Sequence, residues 1–190
     1  MDDGCANEIG NSVNKAVLQP LGGLGGKKMD IEIKFEKNAE VIARLNKSVH
    51  DLQQMWYPEI FREYSYEKML EMFDEMLKKD FIHSLIAYRS EQPVGYAILV
   101  LRQYDSPLFC EDHKSIYIDQ MCVIEEYRHQ GIGKILMNRI KEFAHDKNIK
   151  RIELSVWVDN VSAIKFYERM GFVNYLNNMC CIIEDGDKER

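Results

Sequence analysis

The sequence predicts one α/β domain, with a central mixed and mostly antiparallel sheet flanked by helices. Short apolar runs typical of strands alternate with stretches whose apolar residues recur at helical spacing. Two of these runs are joined by a short polar turn, which predicts a β-hairpin. The chain has 190 residues, a length that suits a single domain with a full hydrophobic core.

The first half of the domain reads as a strand, two helices and a hairpin. The strand is "DIEIKF", just after Met29, and its apolar residues alternate. Helices are predicted over about 39–55 and about 66–78, with the aromatic-rich linker "MWYPEIFREYSY" between them. The hairpin pairs "IHSLIAYR" with "GYAILVLRQY" through "SEQPVG".

The second half reads as strand, helix, strand, helix and strand. After a loop over 105–114, "SIYIDQMCVI" is predicted to be a strand and about 131–146 an amphipathic helix. "RIELSVWV" is the next strand, and "NVSAIKFYERM" is a short helix that stops at Gly171. "MCCIIE" is the predicted last strand, which gives the order β-α-α-β-β-β-α-β-α-β.

The composition argues against several classes of protein. A net charge of −6 disfavours nucleic acid as the main partner, because phosphate binding favours a basic surface. No apolar run approaches the ~18 residues of a membrane span, and the acidic N-terminus lacks the apolar core of a signal peptide. The five cysteines, odd in number and without a CxxC pair, predict free thiols in a reducing cytoplasm and no metal site.

The ends of the chain differ in composition from its middle. Residues 1–28 are glycine-rich and aperiodic, and we interpret them as a flexible leader or a cloning remnant. The domain is then predicted over 29–185, and 186–190 form a polar tail.

A glycine motif between a strand and a helix carries the clearest functional signal. Arg128, Gly131 and Gly133 form R-x-x-G-x-G at the mouth of the predicted helix. Free N–H groups at a helix N-terminus bind phosphate, and glycines let the phosphate approach them. A P-loop would need glycine at Arg128 and Ser or Thr at Ile135, and a dinucleotide fingerprint would need glycine at Leu136. Neither fingerprint is present.

With this motif the sequence resembles the GNAT superfamily of N-acetyltransferases, whose acyl-coenzyme A signature is [Q/R]-x-x-G-x-[G/A]. About thirty residues later, "NVSAIKFYERMGF" matches the family pattern N-x-x-[AS]-x-x-[FL]-Y-x-x-x-G-F. The resemblance covers roughly residues 30–184. It implies acetyl-coenzyme A as cosubstrate and a sheet that is splayed between the two strands holding it.

The resemblance also implies a donor site. The strand end would pair with the pantetheine arm, the glycine turn would wrap the pyrophosphate, and the start of the last helix would line the groove. The implied donor residues are Met121, Cys122, Val123, Arg128, His129, Gln130, Gly131, Ile132, Gly133, Lys134, Asn160, Ala163 and Phe166. His129 stands where the family often has glycine.

Two residues are the candidates for proton transfer. The resemblance places the Tyr167 hydroxyl beside the coenzyme sulfur, where it would protonate the leaving thiolate. Asp119 is the candidate base for an amine whose pKa is about 10.4, and regular alternation would put it on the strand face of Val123. His113 and Glu125 are weaker alternatives for the base.

The acceptor side leaves alternatives open. Aromatic residues and glutamates alternate in the linker, which suits a cationic amine, although these aromatics could equally seal the core. They are Trp56, Tyr57, Phe61, Tyr64 and Tyr66, with Glu59, Glu63 and Glu67. We therefore expect an N-acetyltransferase for a small amine, such as a polyamine or an aminoglycoside. A peptide or protein N-acetyltransferase and a non-catalytic acyl-coenzyme A sensor are the alternatives, and a homodimer is left open.

Overall fold

The computed structural model of the chain describes residues 30–105 and 111–182. The predicted leader and polar tail lie outside these residues. The strands are β1 (Ile31–Phe35), β2 (Ile82–Arg89), β3 (Gln92–Tyr104), β4 (His113–Val123) and β5 (Ile152–Leu154). The helices are α1 (Ala39–Trp56), α2 (Tyr66–Leu77), α3 (Ile132–Asp146) and α4 (Val161–Arg169), with a short 3₁₀ turn at Glu125–Tyr127.

The strands form one sheet in the order β1-β2-β3-β4-β5. The first four strands pair antiparallel, and β5 pairs parallel to β4. This confirms the predicted mixed and mostly antiparallel sheet. The β4–β5 pairing covers only Ile116–Ile118 of β4, which itself continues to Val123. The sheet is therefore splayed between these two strands, as the resemblance implied.

Each face of the sheet is covered by its own hydrophobic core. On one face, here called the α3 face, Leu99 and Ile118 pack with Leu136 and Ile140 of α3. On the opposite face, here called the α1/α2 face, side chains of both helices pack over the sheet. Members of this second core include Ile42, Phe73, Ile86, Tyr96 and Cys122. No described helix has both the length and the apolar content that a membrane span requires.

The predicted last strand is wrong for its described part. Residues 179–182 of "MCCIIE" are in no strand, and Met179 and Ile182 are 94% and 78% exposed. Residues 183–184 lie outside the described ranges. An apolar run forms a strand only where a neighbouring strand offers backbone groups for hydrogen bonding. Strand β5 offers few such groups, because it has three residues rather than the predicted eight. The adjacent edge is therefore too short to order this segment.

Candidate active site

A groove opens where β4 and β5 separate. It encloses about 600 Å³, including its open mouth, and lies between α1, the end of β4 and the start of α4. Six predicted donor residues line it: Met121, Cys122, Val123, Arg128, Asn160 and Ala163. Residues of α1 that the sequence did not predict to be part of a site form the opposite wall: Val49, Leu52 and Gln53.

Among the residues that the structure describes, none pairs with the groove-side edge of β4 beyond Ile118. Residues 120–123 pair with β3 on one side, but β5 pairs with β4 only as far as Ile118. The groove-side edge of the strand can therefore accept an extended ligand that pairs in the manner of a strand. The Nε of Arg128 donates a hydrogen bond to the Val123 carbonyl at 3.0 Å, which fixes the Arg128 side chain at the end of this edge.

The glycine turn presents an uncapped helix N-terminus. Gly131 is the N-cap of α3, has φ of 83° and supplies no side-chain cap. By contrast, Asn38, Ser65 and Asn160 each cap their helices with a side-chain oxygen. The first N–H groups of α3 are thus left without a side-chain partner, and together with the helix dipole they suit a phosphate group.

Other residues of the turn have structural partners. His129 has φ of 59°, a left-handed conformation that explains why glycine is common at this position. The Gln130 side chain accepts a hydrogen bond from Arg89 at 2.9 Å and donates one to the Glu126 carbonyl at 2.9 Å. Ile132 is 1% exposed, so only its backbone can face a ligand.

The start of α4 forms the wall of the groove that faces α3. The Asn160 Oδ1 caps the helix by accepting from the Ala163 N–H at 3.1 Å, and it also accepts from Ser162 at 3.2 Å. This leaves the Asn160 Nδ2 available to a ligand in the groove. Phe166 packs against α3, since a Cβ at Gly133 would lie 3.4 Å from its ring. Phe166 therefore sets the spacing of the two helices.

Tyr167 packs against the core on the α3 face and is not among the residues that line the groove. Burial raises its pKa to about 12, and the Cys122 thiol adds to the shift. Its ring packs between Phe166 and Phe172, with centroid distances of 5.3 and 5.7 Å. No hydrogen bond ties the hydroxyl to another described residue. A phenol of this kind can donate a proton at neutral pH.

Asp119 occupies a β-bulge that the sequence did not predict. Gln120 pairs with Ile98 and Ile118 pairs with Leu99, so Asp119 has no partner on β3. The bulge reverses the alternation of β4, as the two cores show. Before it Ile118 packs on the α3 face, and after it Cys122 packs on the α1/α2 face.

This reversal corrects the face predicted for Asp119. Val123 packs with the core on the α3 face, whereas the charge of Arg102, on the α1/α2 face, acts on the Asp119 carboxylate. The shared face that regular alternation predicted for Asp119 and Val123 is therefore wrong. Burial raises the pKa of Asp119, and the charge of Arg102 partly opposes this shift.

A buried polar network holds the strand just after the bulge. The Asn46 Nδ2 donates to the Tyr96 hydroxyl and to the Gln120 Oε1, each at 3.0 Å. The Tyr96 hydroxyl also donates to the Gln120 Oε1 at 2.8 Å. The three residues come from α1, β3 and β4, and no local sequence signal could have brought them together.

The aromatic linker divides into two groups. Tyr57 and Phe61 contact Trp157 at centroid distances of 4.4 and 5.6 Å, and the Tyr57 hydroxyl donates to the Asp159 carboxylate. Trp157 and Trp56 line the groove. Tyr64 and Tyr66 instead support α1: the Tyr64 hydroxyl donates to the Ala43 carbonyl, and the Arg44 guanidinium lies 6.0 Å from the Tyr66 ring.

The other two candidate bases lie away from this groove. His113 stacks on Tyr104 at the far end of β4, with a centroid distance of 4.6 Å. Glu125 is exposed in the 3₁₀ turn. Neither is among the residues that line the groove, and the same holds for Asp119 and Tyr167. Asp119 differs from these two in its place on β4, next to the groove-lining end of the strand.

Parts of the chain are similar in sequence to proteins of other organisms. The spermine/spermidine N(1)-acetyltransferase of Bacillus subtilis (strain 168) is 34% identical over 82 residues, which are 42% of this chain and 51% of that protein. The thialysine N-epsilon-acetyltransferase of Caenorhabditis elegans is 28% identical over 104 residues, 53% of this chain and 62% of that protein. The chain thus spans about half the length of the curated relatives it matches.

Solved structures share the fold. A tetramutant of the BH1408 protein from Bacillus halodurans superposes with a TM-score of 0.76 at 23% identity, covering 80% of this chain and 99% of that one. The aminoglycoside N-acetyltransferase AAC(6')-Iy, solved in complex with CoA, gives a TM-score of 0.59 at 17% identity, covering 87% and 99%. A family model for the acetyltransferase (GNAT) family matches residues 46–172. The chain therefore belongs to the acetyltransferase (GNAT) family, as the sequence predicted.

Proposed function

We propose that this chain transfers the acetyl group of acetyl-coenzyme A to a small primary amine, by direct attack in a ternary complex. The observation that carries the proposal is the groove itself. Its β4 edge is open to a strand-like ligand, and it leads to an uncapped helix N-terminus that suits a pyrophosphate. The CoA complex of AAC(6')-Iy, a protein of the same fold, supports this donor.

The chain's own residues can supply both proton transfers. The Tyr167 hydroxyl, whose pKa is about 12, can protonate the departing thiolate. Asp119 can accept the amine proton through a water molecule, because its side chain is partly desolvated but still reaches solvent. Free primary amines are mostly protonated near pH 7, so a base raises the fraction of nucleophile.

The acceptor we propose is a small amine that is positively charged in solution. Tyr57, Phe61 and Trp157 form an aromatic group at the mouth of the groove, with Asp159 beside it. Aromatic faces and a carboxylate favour a cation. The acceptors named for two relatives, spermine/spermidine and thialysine, are also small amines. We place the reaction in the cytoplasm, where the free thiols would stay reduced.

Two measurements test the proposal. Acetyl-coenzyme A should raise the melting temperature, because a ligand at 100 times its Kd adds about 2.7 kcal/mol to the free energy of unfolding. ATP and NAD should leave the melting temperature unchanged. A panel of amines and peptides should then be tested as acceptors. The protein should release free coenzyme A thiol from acetyl-coenzyme A in the presence of one class of them. Binding without thiol release for any acceptor would indicate the acyl-coenzyme A sensor instead. A melt that responds to ATP and not to acetyl-coenzyme A would refute the donor site.

A further inference from the structure

Arg102 presents a guanidinium with no carboxylate partner among residues 30–105 and 111–182, since no described ion pair includes it. Its charge lies over the Tyr117 ring, 3.5 Å from the centroid, and its Nη1 donates to the Tyr104 hydroxyl at 3.4 Å. The side chain is half-buried. A fixed, partly desolvated arginine of this kind is well suited to bind a carboxylate in bidentate fashion.

Arg102 lies on the same face of the sheet as Asp119. On β3, Tyr96 and Ile98 pack in the α1/α2 core, and the alternation continues to Arg102. Tyr117 precedes the bulge on β4 and meets Arg102 on this face. Helices α1 and α2 cover Tyr96 and Ile98 fully, but Arg102 and Tyr117 stay partly open to solvent.

Arg102 and Asp119 place a positive and a negative group on the same face of two neighbouring strands. Tyr117, which lies under the guanidinium, is two residues before Asp119 on β4. The two charges influence each other but form no ion pair. A ligand can therefore lie between them with an ammonium at one end and a carboxylate at the other.

We propose that Arg102 binds a carboxylate of the acceptor, so that the preferred substrate is a small amine that also carries a carboxylate several bonds from the reacting nitrogen. This rests on the proposed function and places the reacting amine at Asp119. A diamine of the same length would bring a second positive charge to Arg102, where like charges repel. The same site thus distinguishes an amino acid from a polyamine.

Three acceptors of equal chain length test this specificity: lysine, lysine methyl ester and pentane-1,5-diamine. The wild type should use lysine with a kcat/KM roughly 10- to 100-fold above the other two, the usual range for a hydrogen bond to a charged group. Arg102→Gln should lose most of this preference, mainly through KM for lysine. Because this variant also removes the charge that opposes the raised pKa of Asp119, the three acceptors are compared at alkaline pH, where Asp119 is deprotonated in both proteins. Arg102→Lys should restore part of it.

Arg139→Gln is the matched control. This arginine also lies over an aromatic ring, 5.1 Å from the Phe35 centroid, but its partner is Glu142 on α3. It should leave all three acceptors unaffected. Two outcomes would contradict the role of Arg102: equal kcat/KM for lysine and its methyl ester in the wild type, or equal losses for every acceptor in Arg102→Gln. Neither outcome would contradict the proposed acetyltransferase activity.

Calorimetry of lysine binding keeps the two proposals separable. If the wild type acetylates none of the amines, the proposed function fails, and the carboxylate site is judged on binding alone. Lysine should then bind the wild type and Arg139→Gln, and bind Arg102→Gln at least roughly 10-fold more weakly. Absence of lysine binding to the wild type, or unchanged binding to Arg102→Gln, would refute the carboxylate site.

Discussion

At the scale of single residues, Tyr167 combines a half-buried ring with a hydroxyl that is free to donate. Tyr167→Phe removes the hydroxyl and little volume, so acetyl-coenzyme A should bind with unchanged Kd while kcat falls roughly 10²- to 10⁴-fold. Tyr88→Phe is the control, because the Tyr88 hydroxyl donates a hydrogen bond to Glu36. Tyr88 packs on the α1/α2 face of the sheet, opposite Tyr167. The check is a pair of steady-state measurements, and a fully active Tyr167→Phe would assign the proton to water.

The pH dependence of Tyr167 has a defined sign. Its pKa is raised to about 12, so the protonated form that donates persists as pH rises through 10 and is lost only near 12. Wild-type kcat should therefore show no descending limb at pH 10. A limb with an apparent pKa near 10 that disappears in Tyr167→Phe would contradict this assignment.

Asp119 is the base that we propose for the amine proton. Burial raises its pKa, so its carboxylate becomes protonated, and its activity as a base is lost, at a higher pH than for an ordinary aspartate. Asp119→Asn should reduce kcat/KM most near neutral pH, and the loss should shrink as pH approaches the amine's own pKa. The measurement is the pH–rate profile of both proteins. Parallel profiles would remove Asp119 from the mechanism.

Gly131 and Gly171 form a matched pair for the phosphate turn. Both have positive φ, 83° and 92°, and a Cβ atom added at either position would meet no atom within 4 Å. Gly131→Asp and Gly171→Asp should therefore lose similar stability, on the order of 1 kcal/mol each. Only Gly131→Asp places a negative charge at the start of α3, so it alone should weaken donor binding by more than about 10-fold. Equal donor affinity in the two variants would exclude this turn as the pyrophosphate site.

At the scale of elements, the hairpin between β2 and β3 turns more tightly than the sequence predicted. Gln92 already pairs with Arg89, so the turn consists of Ser90 and Glu91, with φ of 48° and 68°. Two consecutive positive φ values match the turn that favours Asn-Gly. Ser90→Asn with Glu91→Gly should raise the melting temperature by roughly 2–4 °C, the shift expected for about 1 kcal/mol. Calorimetry decides this, and a lower melting temperature would contradict the turn assignment.

The elements also show which features the sequence could reveal. Helical periodicity and turn residues are local signals, and they predicted the helices and the hairpin. The bulge at Asp119, the short β5 and the unpaired residues 179–182 depend on which backbone groups a neighbouring strand offers. Arg102 was missed for the same reason, because its place over Tyr117 follows from the β3–β4 register.

At the scale of the whole molecule, one half of the candidate site consists of backbone groups and the other half of side chains. The donor half is backbone: the open edge of β4 and the first N–H groups of α3. Its local motif was visible in the sequence, because glycines mark where bare backbone is needed. The acceptor half that we propose uses side chains from the linker, β3 and β4, which are distant in the sequence.

The open edge of β4 has a consequence for how this protein can change over generations. Most substitutions leave the main-chain groups in place. Met121, Cys122 and Val123 can therefore be replaced by similar residues while the protein still binds its acetyl donor. Side chains such as Arg102 and Tyr57 can change separately from that edge. A lineage carrying this chain could therefore exchange one acceptor for another by a few point mutations, while its energy-rich donor stays fixed.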